Sequence, residues 1–350
     1  MFEGKSRRNM EANNMLNSLD QTEQPHAEVC GFWKRIFAMM LDGILLGLFG
    51  ALIGFVMFDQ LARLGGWGRL AGFSVALIYF GVFNSVVGNG QTPGKRMMKI
   101  RVIDHSGNYI SLAKSFLRFI ILGLPFFLNQ ALIPTSVMMS PVGYILSLLI
   151  FGFGTAIVYL YVFNRRTRQS LHDIVAGTFV TTAISEGPAI GSVWKPHLVV
   201  TGLLLVIAIS LPVLTGNLSK KWEFPELLEV QKSIISNDKV LFATVNAGKS
   251  WGTNNGEKWE KTYFQTAAIM KAWPNDPESS AQDIAQIVLK TYPPAMEKDI
   301  IAINTTYGYD IGIAHAWRTY NVIHTPEEWQ QLIARLPREE SFQNRLLNIQ

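Results

Sequence analysis

From residue 36 to residue 58 the chain is apolar at every position except Asp42. The hydrocarbon core of a bilayer is ~30 Å thick, and a helix needs ~20 apolar residues to cross it. The stretch therefore reads as a membrane-spanning helix, which excludes an ordinary soluble fold for this part of the chain. Arg35 stands at its mouth and Asp42 follows seven residues later. Seven residues are two helical turns less ~20°, so guanidinium and carboxylate lie on one stripe. An aspartate near the bilayer centre costs ~3 kcal/mol on insertion scales and calls for a partner or a water-filled cavity.

Further apolar runs follow. A second span is expected over about 70–87, after a short loop at 59–69. The 48 residues of 116–163, almost wholly apolar, are too many for one helix and are divided by Pro134 and Pro141, which gives spans at about 117–133 and 142–163. A fifth run, 198–216, is just long enough to cross, and Lys220 and Lys221 end it. With 49% hydrophobic and 16% charged residues, the composition agrees with a membrane class. The single cysteine, Cys30, rules out an intrachain disulfide, and no His/Cys cluster has zinc spacing. No apolar core precedes Phe32, so the first span is expected to act as its own insertion signal. Residues 1–30 are polar and read as a disordered cytoplasmic tail.

The net charge of +5 is unevenly placed. Residues 1–215 carry 17 Lys/Arg against 10 Asp/Glu, and residues 216–350 carry 14 against 16. Thirteen cations lie in the tail, the 88–115 loop and the 164–196 loop, against Arg63 and Arg69 on the other side. The positive-inside bias makes the N-terminus and both long loops cytoplasmic, and five spans then put residues 218–350 outside the cytoplasm. Within the 88–115 loop, the alternation of 99–104 followed by turn residues at 105–108 predicts a short hairpin with Tyr109 and Ile110.

Residues 218–350 read as a soluble α+β module. Helices are expected at 225–236, 257–272 and 279–291, and a strand at 240–245. Two further strands, 299–305 and 311–320, are expected to pair across 306–310. Thr325, Pro326 and Glu328 form a helix start with an N-cap, a first-turn proline and a third-position glutamate. The string ATVNAGKS (243–250) imitates a phosphate loop but lacks the first glycine and a following helix, so a turn after a strand is expected instead.

Three segments resemble the RDD family of bacterial multi-spanning membrane proteins. They are KRIFAMMLDGILL (34–46), GQTPGKRMMKIRVIDHSG (90–107) and RQSLHDIVAGTFV (168–180). Arg35 and Asp42 occupy the family's positions, and Asp173 is the candidate for its second aspartate with Asp104 as the rival. Pro93 stands where the family usually has a bulky apolar residue. The match spans about 31–182 and implies an all-α transmembrane bundle of four helices. To this the chain adds a linker with a fifth span (183–217) and the α+β module. The implied site is Arg35, Asp42 and Asp173, supported by Thr92, Gly94, Lys95, Arg118, Arg168 and His172.

Two readings of that site stay open. A half-buried carboxylate tuned by an arginine can exchange a proton for a cation, which makes the chain a transport-type protein, and the resemblance, through the ion antiport proposed for some members of the family, points the same way. Alternatively Arg35 pairs with Asp42 or Asp173 to fix helix register, and the helices anchor a module that binds an envelope protein. The glycines at 43, 47, 50 and 54 point to helix packing and to a homo-oligomer. Expected partners are membrane lipid, a monovalent cation or proton, a second copy and an envelope protein, with no nucleic acid. No cofactor, metal or enzymatic activity is expected, and the location is the bacterial cytoplasmic (inner) membrane.

Overall fold

The computed structural model describes residues 29–182, 191–219, 224–254 and 256–335. The predicted tail falls almost wholly outside them, as do linker residues 183–190 and the Lys220–Lys221 stop. Two compact units divide the chain: Met1–Gly50 with Arg69–Pro212, and Ala51–Gly68 with Val213–Gln350.

Helix α1 runs Phe32–Val56. The stretch expected as a loop is helical: α2 is Phe58–Leu64, a tight 3-10 turn covers Gly65–Trp67, and α3 is Gly68–Phe83. No breaker interrupts residues 58–64, and Leu61 and Ala62 are buried. The short helix α4 (Pro93–Met97) explains Pro93, which sits in its first turn behind the Thr92 cap, where its missing N–H is not needed. Strand β1 is Ile100–Asp104 and α5 is Leu112–Leu128.

A short helix, α6 (Thr135–Met138), fills the predicted proline division. Beyond it α7 spans Val142–Phe163, with a π turn at Leu148–Gly152. Then come α8 (Leu171–Ala176), β2 (Thr178–Thr182) and α9 (Lys195–Ser219).

Among the described residues four helical runs are long and apolar enough to cross a membrane: Phe32–Val56, Phe58–Phe83, Val142–Phe163 and Lys195–Leu214. Their outer faces expose large apolar side chains such as Phe55, Leu203 and Val206, an arrangement that fits lipid rather than water. Helix α5, the expected third span, has only 17 residues. It nevertheless runs antiparallel along α3. The Ser115 hydroxyl donates to the Phe80 carbonyl (3.2 Å) near one end, and Arg69 donates to the Phe126 (3.1 Å) and Asn129 carbonyls near the other.

The predicted hairpin does not form. β1 pairs antiparallel with β2 instead, Ile100 opposite Thr182 and Asp104 opposite Thr178. Every residue of TFVTT is β-branched or aromatic, which favours extension, and the pairing buries Ile100, Val102 and Val180 with Cys30, Ala38 and Ile110.

In the second unit a four-stranded sheet runs in the order β3-β4-β5-β6. Helix α10 (Phe224–Ile235) precedes β3 (Val240–Asn254) and β4 (Glu257–Met270). Helix α11 (Pro277–Thr291) crosses over to β5 (Ile300–Asp310), and β6 (His315–His324) leads to α12 (Pro326–Ala334). The β4–β5 pair is parallel and the other two are antiparallel; a parallel pair requires a crossover, and α11 supplies it.

Three expectations fail here. The helix expected at 257–272 is instead strand over Glu257–Met270: Phe264, Thr266, Ala268 and Met270 are buried at every second position, a period of 2. The 243–250 string is neither phosphate loop nor turn but continuous strand, paired through its length with β4. The β5–β6 turn lies after Asp310, not at 306–310, where Gly312 takes φ 77 and donates its N–H to Asp310. The α12 capping box of Thr325 and Glu328 forms as read. The core gathers α10, α11 and α12 on one face of the sheet, with Phe264, Ile284, Ile303 and Trp329 fully or almost fully buried.

Candidate functional site

The two aspartates of the membrane unit head separate polar clusters. Asp173 lies in the first turn of α8, where its Oδ2 accepts the Ser170 N–H (3.3 Å). Gly177, left-handed at φ 62, turns the chain into β2, so that the Thr178 hydroxyl donates to Asp173 Oδ1 (3.1 Å). Two guanidiniums close on the same carboxylate. Arg35 Nη2 lies 2.5 Å from Oδ2, and Arg118 donates through Nε (2.9 Å) and Nη2 (2.7 Å) to Oδ1. Asp173 is fully buried, and Arg35 and Arg118 nearly so.

Arg35 has a second anchor, the carbonyl of Arg168. That residue is held in the left-handed region (φ 55) by a turn in which Asn164 donates to Thr167 Oγ1 (2.8 Å) and the Gln169 carbonyl (2.9 Å). The Arg35 guanidinium also covers the Tyr161 ring at 4.9 Å. His172 Nε2 stands 3.3 Å from Arg118 Nη2. An arginine only donates, so Nε2 accepts and the proton sits on Nδ1, which is buried without a partner among the described residues.

The electrostatics follow from this packing. Burial alone would raise the Asp173 carboxyl, but the Arg118 and Arg35 guanidiniums hold it well below the usual carboxylate range. Burial, with Arg118 and Arg35 beside it, pushes His172 down to about 3 against the opposing pull of Asp173, so it is neutral at physiological pH and forms no ion pair.

Asp42 is fully buried and makes no salt bridge among the described residues. Three donors surround it: Tyr79 hydroxyl to Oδ1 (2.8 Å), Gly94 N–H to Oδ1 (2.8 Å) and Thr92 hydroxyl to Oδ2 (2.5 Å). A Cβ at Gly94 would fall 2.9 Å from Asp42 Oδ1, so glycine is required for the close approach. Nearby, Lys95 Nζ donates to Asn84 Oδ1 (2.7 Å) and lies 5.8 Å from the Phe80 ring centroid. Burial, then Arg118 and Arg35, push Lys95 down to about 7, although Asp42 and Asp173 oppose them. A cleft of about 330 Å³ is lined by Phe83, Gln91, Pro93, Arg96 and Met97; neither aspartate lines it.

Of the residues singled out in the sequence, Arg35, Arg118, His172 and Asp173 come together, and Asp42, Thr92 and Gly94 form the second group. The ion-pair partner of Arg35 is Asp173, not Asp42. Arg168 enters through its carbonyl. Asp104, the rival aspartate, instead caps a turn by accepting the Ser106 (2.8 Å) and Asn108 (3.0 Å) N–H groups. Asn84, just past the end of α3, donates to the Phe80 carbonyl (2.8 Å) and accepts from Lys95. Gly43 faces open space rather than a neighbouring helix, whereas Gly54 is met by the Tyr309 side chain. Tyr79, Tyr161, Ser170 and Thr178 were missed. Thr178, five residues after Asp173, was within reach of a local reading, but the hydroxyl of Tyr79 in a mid-span aromatic run carried no signal.

Comparison with known proteins agrees with this architecture. Residues 29–177 match the RDD family. The chain is similar to the uncharacterized protein YckC of Bacillus subtilis (strain 168), 26% identical over 153 residues, which cover 44% of this chain and 84% of that protein. No solved structure matches. With both polar clusters drawn from residues inside or bordering that range, segment 29–177 belongs to the RDD family.

Proposed function

We propose that this membrane protein is a scaffold: the RDD helices, locked by Asp173 and its two arginines, hold the α+β module outside the cytoplasm for an envelope partner. The observation that carries the reading is the packing of the module on α2, at the start of the Phe58–Phe83 run. Tyr307 donates to Asp59 (2.8 Å), Arg318 covers the Phe58 ring at 5.0 Å, and Leu61, Tyr309 and Ile311 form a buried cluster. A segment and a module that pack together share a membrane side. The β1–β2 pairing likewise keeps the 88–111 and 164–194 regions on one side, which supports crossings by both α5 and α7. The antiparallel run of α5 along α3 supports the same count of five.

A second reading, ion or small-solute transport, is favoured by one observation. Lys95, hydrogen-bonded through its side chain to Asn84 and pushed to about 7, can bind and release a proton beside the buried carboxylate of Asp42. Flux measured in reconstituted vesicles separates the two. The scaffold reading expects no cation or proton flux from wild type above empty vesicles. Flux abolished by Asp42→Asn establishes transport instead.

A further inference from the structure

The helices α10–α12 cover one face of the module's sheet, and nothing among the described residues packs over the centre of the other. The register sets its composition. Asn246 lies opposite Gln265, and Asn304 opposite Asn321, and directly paired residues share a face. Three of these amides are exposed and Asn304 is half-buried. Among the described residues, the one side-chain hydrogen bond that these four amides make is Asn246 to the Tyr263 hydroxyl at 3.5 Å. Each amide offers two donors and two acceptor sites, so the centre of the face holds a concentration of uncharged hydrogen-bonding groups.

Toward the β3–β4 tip the same face becomes aromatic. Trp259 pairs with Gly252 and Tyr263 with Gly248. A Cβ at Gly252 would meet the six-membered ring of Trp259 at 2.6 Å, and one at Gly248 would meet the Tyr263 hydroxyl at 3.1 Å. Both side chains thus lie across a glycine of the neighbouring strand, and Trp259 is 41% exposed. At ~3.4 Å per residue the two rings are ~14 Å apart along β4. From the Trp259 row to the Thr306 row the face carries one charged side chain, Lys261.

We propose that this face binds a neutral oligosaccharide chain. Aromatic faces carry negative quadrupole charge that attracts the partly positive C–H faces of sugar rings. Amides supply the mixed donors and acceptors that sugar hydroxyl and acetamido groups match. The near absence of charge disfavours an acidic or basic partner. The inference rests on the module lying outside the cytoplasm, where such chains occur.

The test uses the full chain in detergent, where membrane side does not matter. The probes are the β-1,4-linked N-acetylglucosamine tetramer and the corresponding glucose tetramer, followed by calorimetry and tryptophan fluorescence. Saturable binding is expected for at least one probe. Trp259→Ala and, at an exposed amide, Asn321→Ala should each weaken it at least tenfold. Trp251→Ala, on the opposite face of the same hairpin, should leave it unchanged. No saturable binding into the millimolar range overturns the proposal, as does binding insensitive to both variants. It is also overturned if Asn321→Asp dissociates a dimer, which would make a second copy the occupant. Membrane side is read separately by cysteine labelling, so either idea can fail alone.

Discussion

At the scale of single residues, the two aspartates differ in what they neutralise. Asp173 holds two buried guanidiniums, and removing its charge leaves both unpaired in a low-dielectric site. Loss of one partner from a buried ion pair costs about 3–5 kcal/mol. Asp42 holds three neutral donors, and an asparagine carbonyl can still accept from two of them, so about 1–2 kcal/mol is at stake. Thermal unfolding in detergent should therefore show a much larger drop for Asp173→Asn than for Asp42→Asn. Equal drops would contradict the assignment of Asp173 as the lock.

Lys95 gives the cluster a pH dependence. Its folded value is about 7 against an ordinary 10.5, so between these the unfolded chain binds more protons. Stability contributed by this group then rises as pH increases from about 7 towards 10.5, and its penalty is fully present below 7. Lys95→Met should flatten the rise when unfolding midpoints are compared across that window. An unchanged slope would mean that Lys95 stays protonated and compensated.

At the scale of elements, Gly94 shows how a short helix can depend on one missing methyl. A Cβ there meets the Asp42 carboxylate at 2.9 Å and also the Ala38 carbonyl, so α4 has to lift from α1. Gly94→Ala is expected to lower stability by about 1–3 kcal/mol, the usual cost of overpacking. It should also raise amide exchange in residues 93–97; normal exchange there would refute the close approach.

The α12 cap is a milder case. Thr325→Ala removes a hydroxyl that accepts the Glu328 N–H (3.3 Å), for about 1 kcal/mol, readable in the unfolding of the full chain.

These two elements also mark what sequence reasoning can reach. The α12 box, the Pro134–Pro141 division and the 142–163 span are local patterns in which neighbouring residues satisfy one another, and they were legible. The partner of β1 was not, because Thr178–Thr182 lies far along the chain and reads first as the tail of a motif. Strand β4 was misread because its first half, exposed on both faces near the hairpin tip, lacks alternation, while its buried second half is short and Ala-rich. For the site, the charged residues were visible. The pairing of Arg35 with Asp173 across 138 positions and the neutral donors on Asp42 are tertiary facts without a local signature.

At the scale of the whole molecule, the question is which side of the membrane receives the module, and the structure offers well-separated reporters. Lys258 is exposed on β4 and Ser106 is exposed in the turn after β1. Cys30, the chain's single cysteine, is fully buried, so it contributes little background labelling. The proposed topology of five crossings expects residue 258 outside and residue 106 inside. A membrane-impermeant maleimide applied to intact cells should therefore modify Lys258→Cys at once and Ser106→Cys only after permeabilisation. Equal labelling of both would mean that an even number of crossings separates them, against a crossing by α5, and the reverse pattern would mean that the whole orientation is inverted. The Tyr307–Asp59 bond and the packing of Tyr309 against Gly54 then supply a second readout. If the module shares a side with the 57–68 segment, Tyr307→Phe combined with Arg318→Ala should loosen the contact without unfolding the sheet. Faster amide exchange confined to α2 would report it. Unaltered exchange in α2 would show that the segment is held by something other than the module, and the tie on which the scaffold reading depends would be lost.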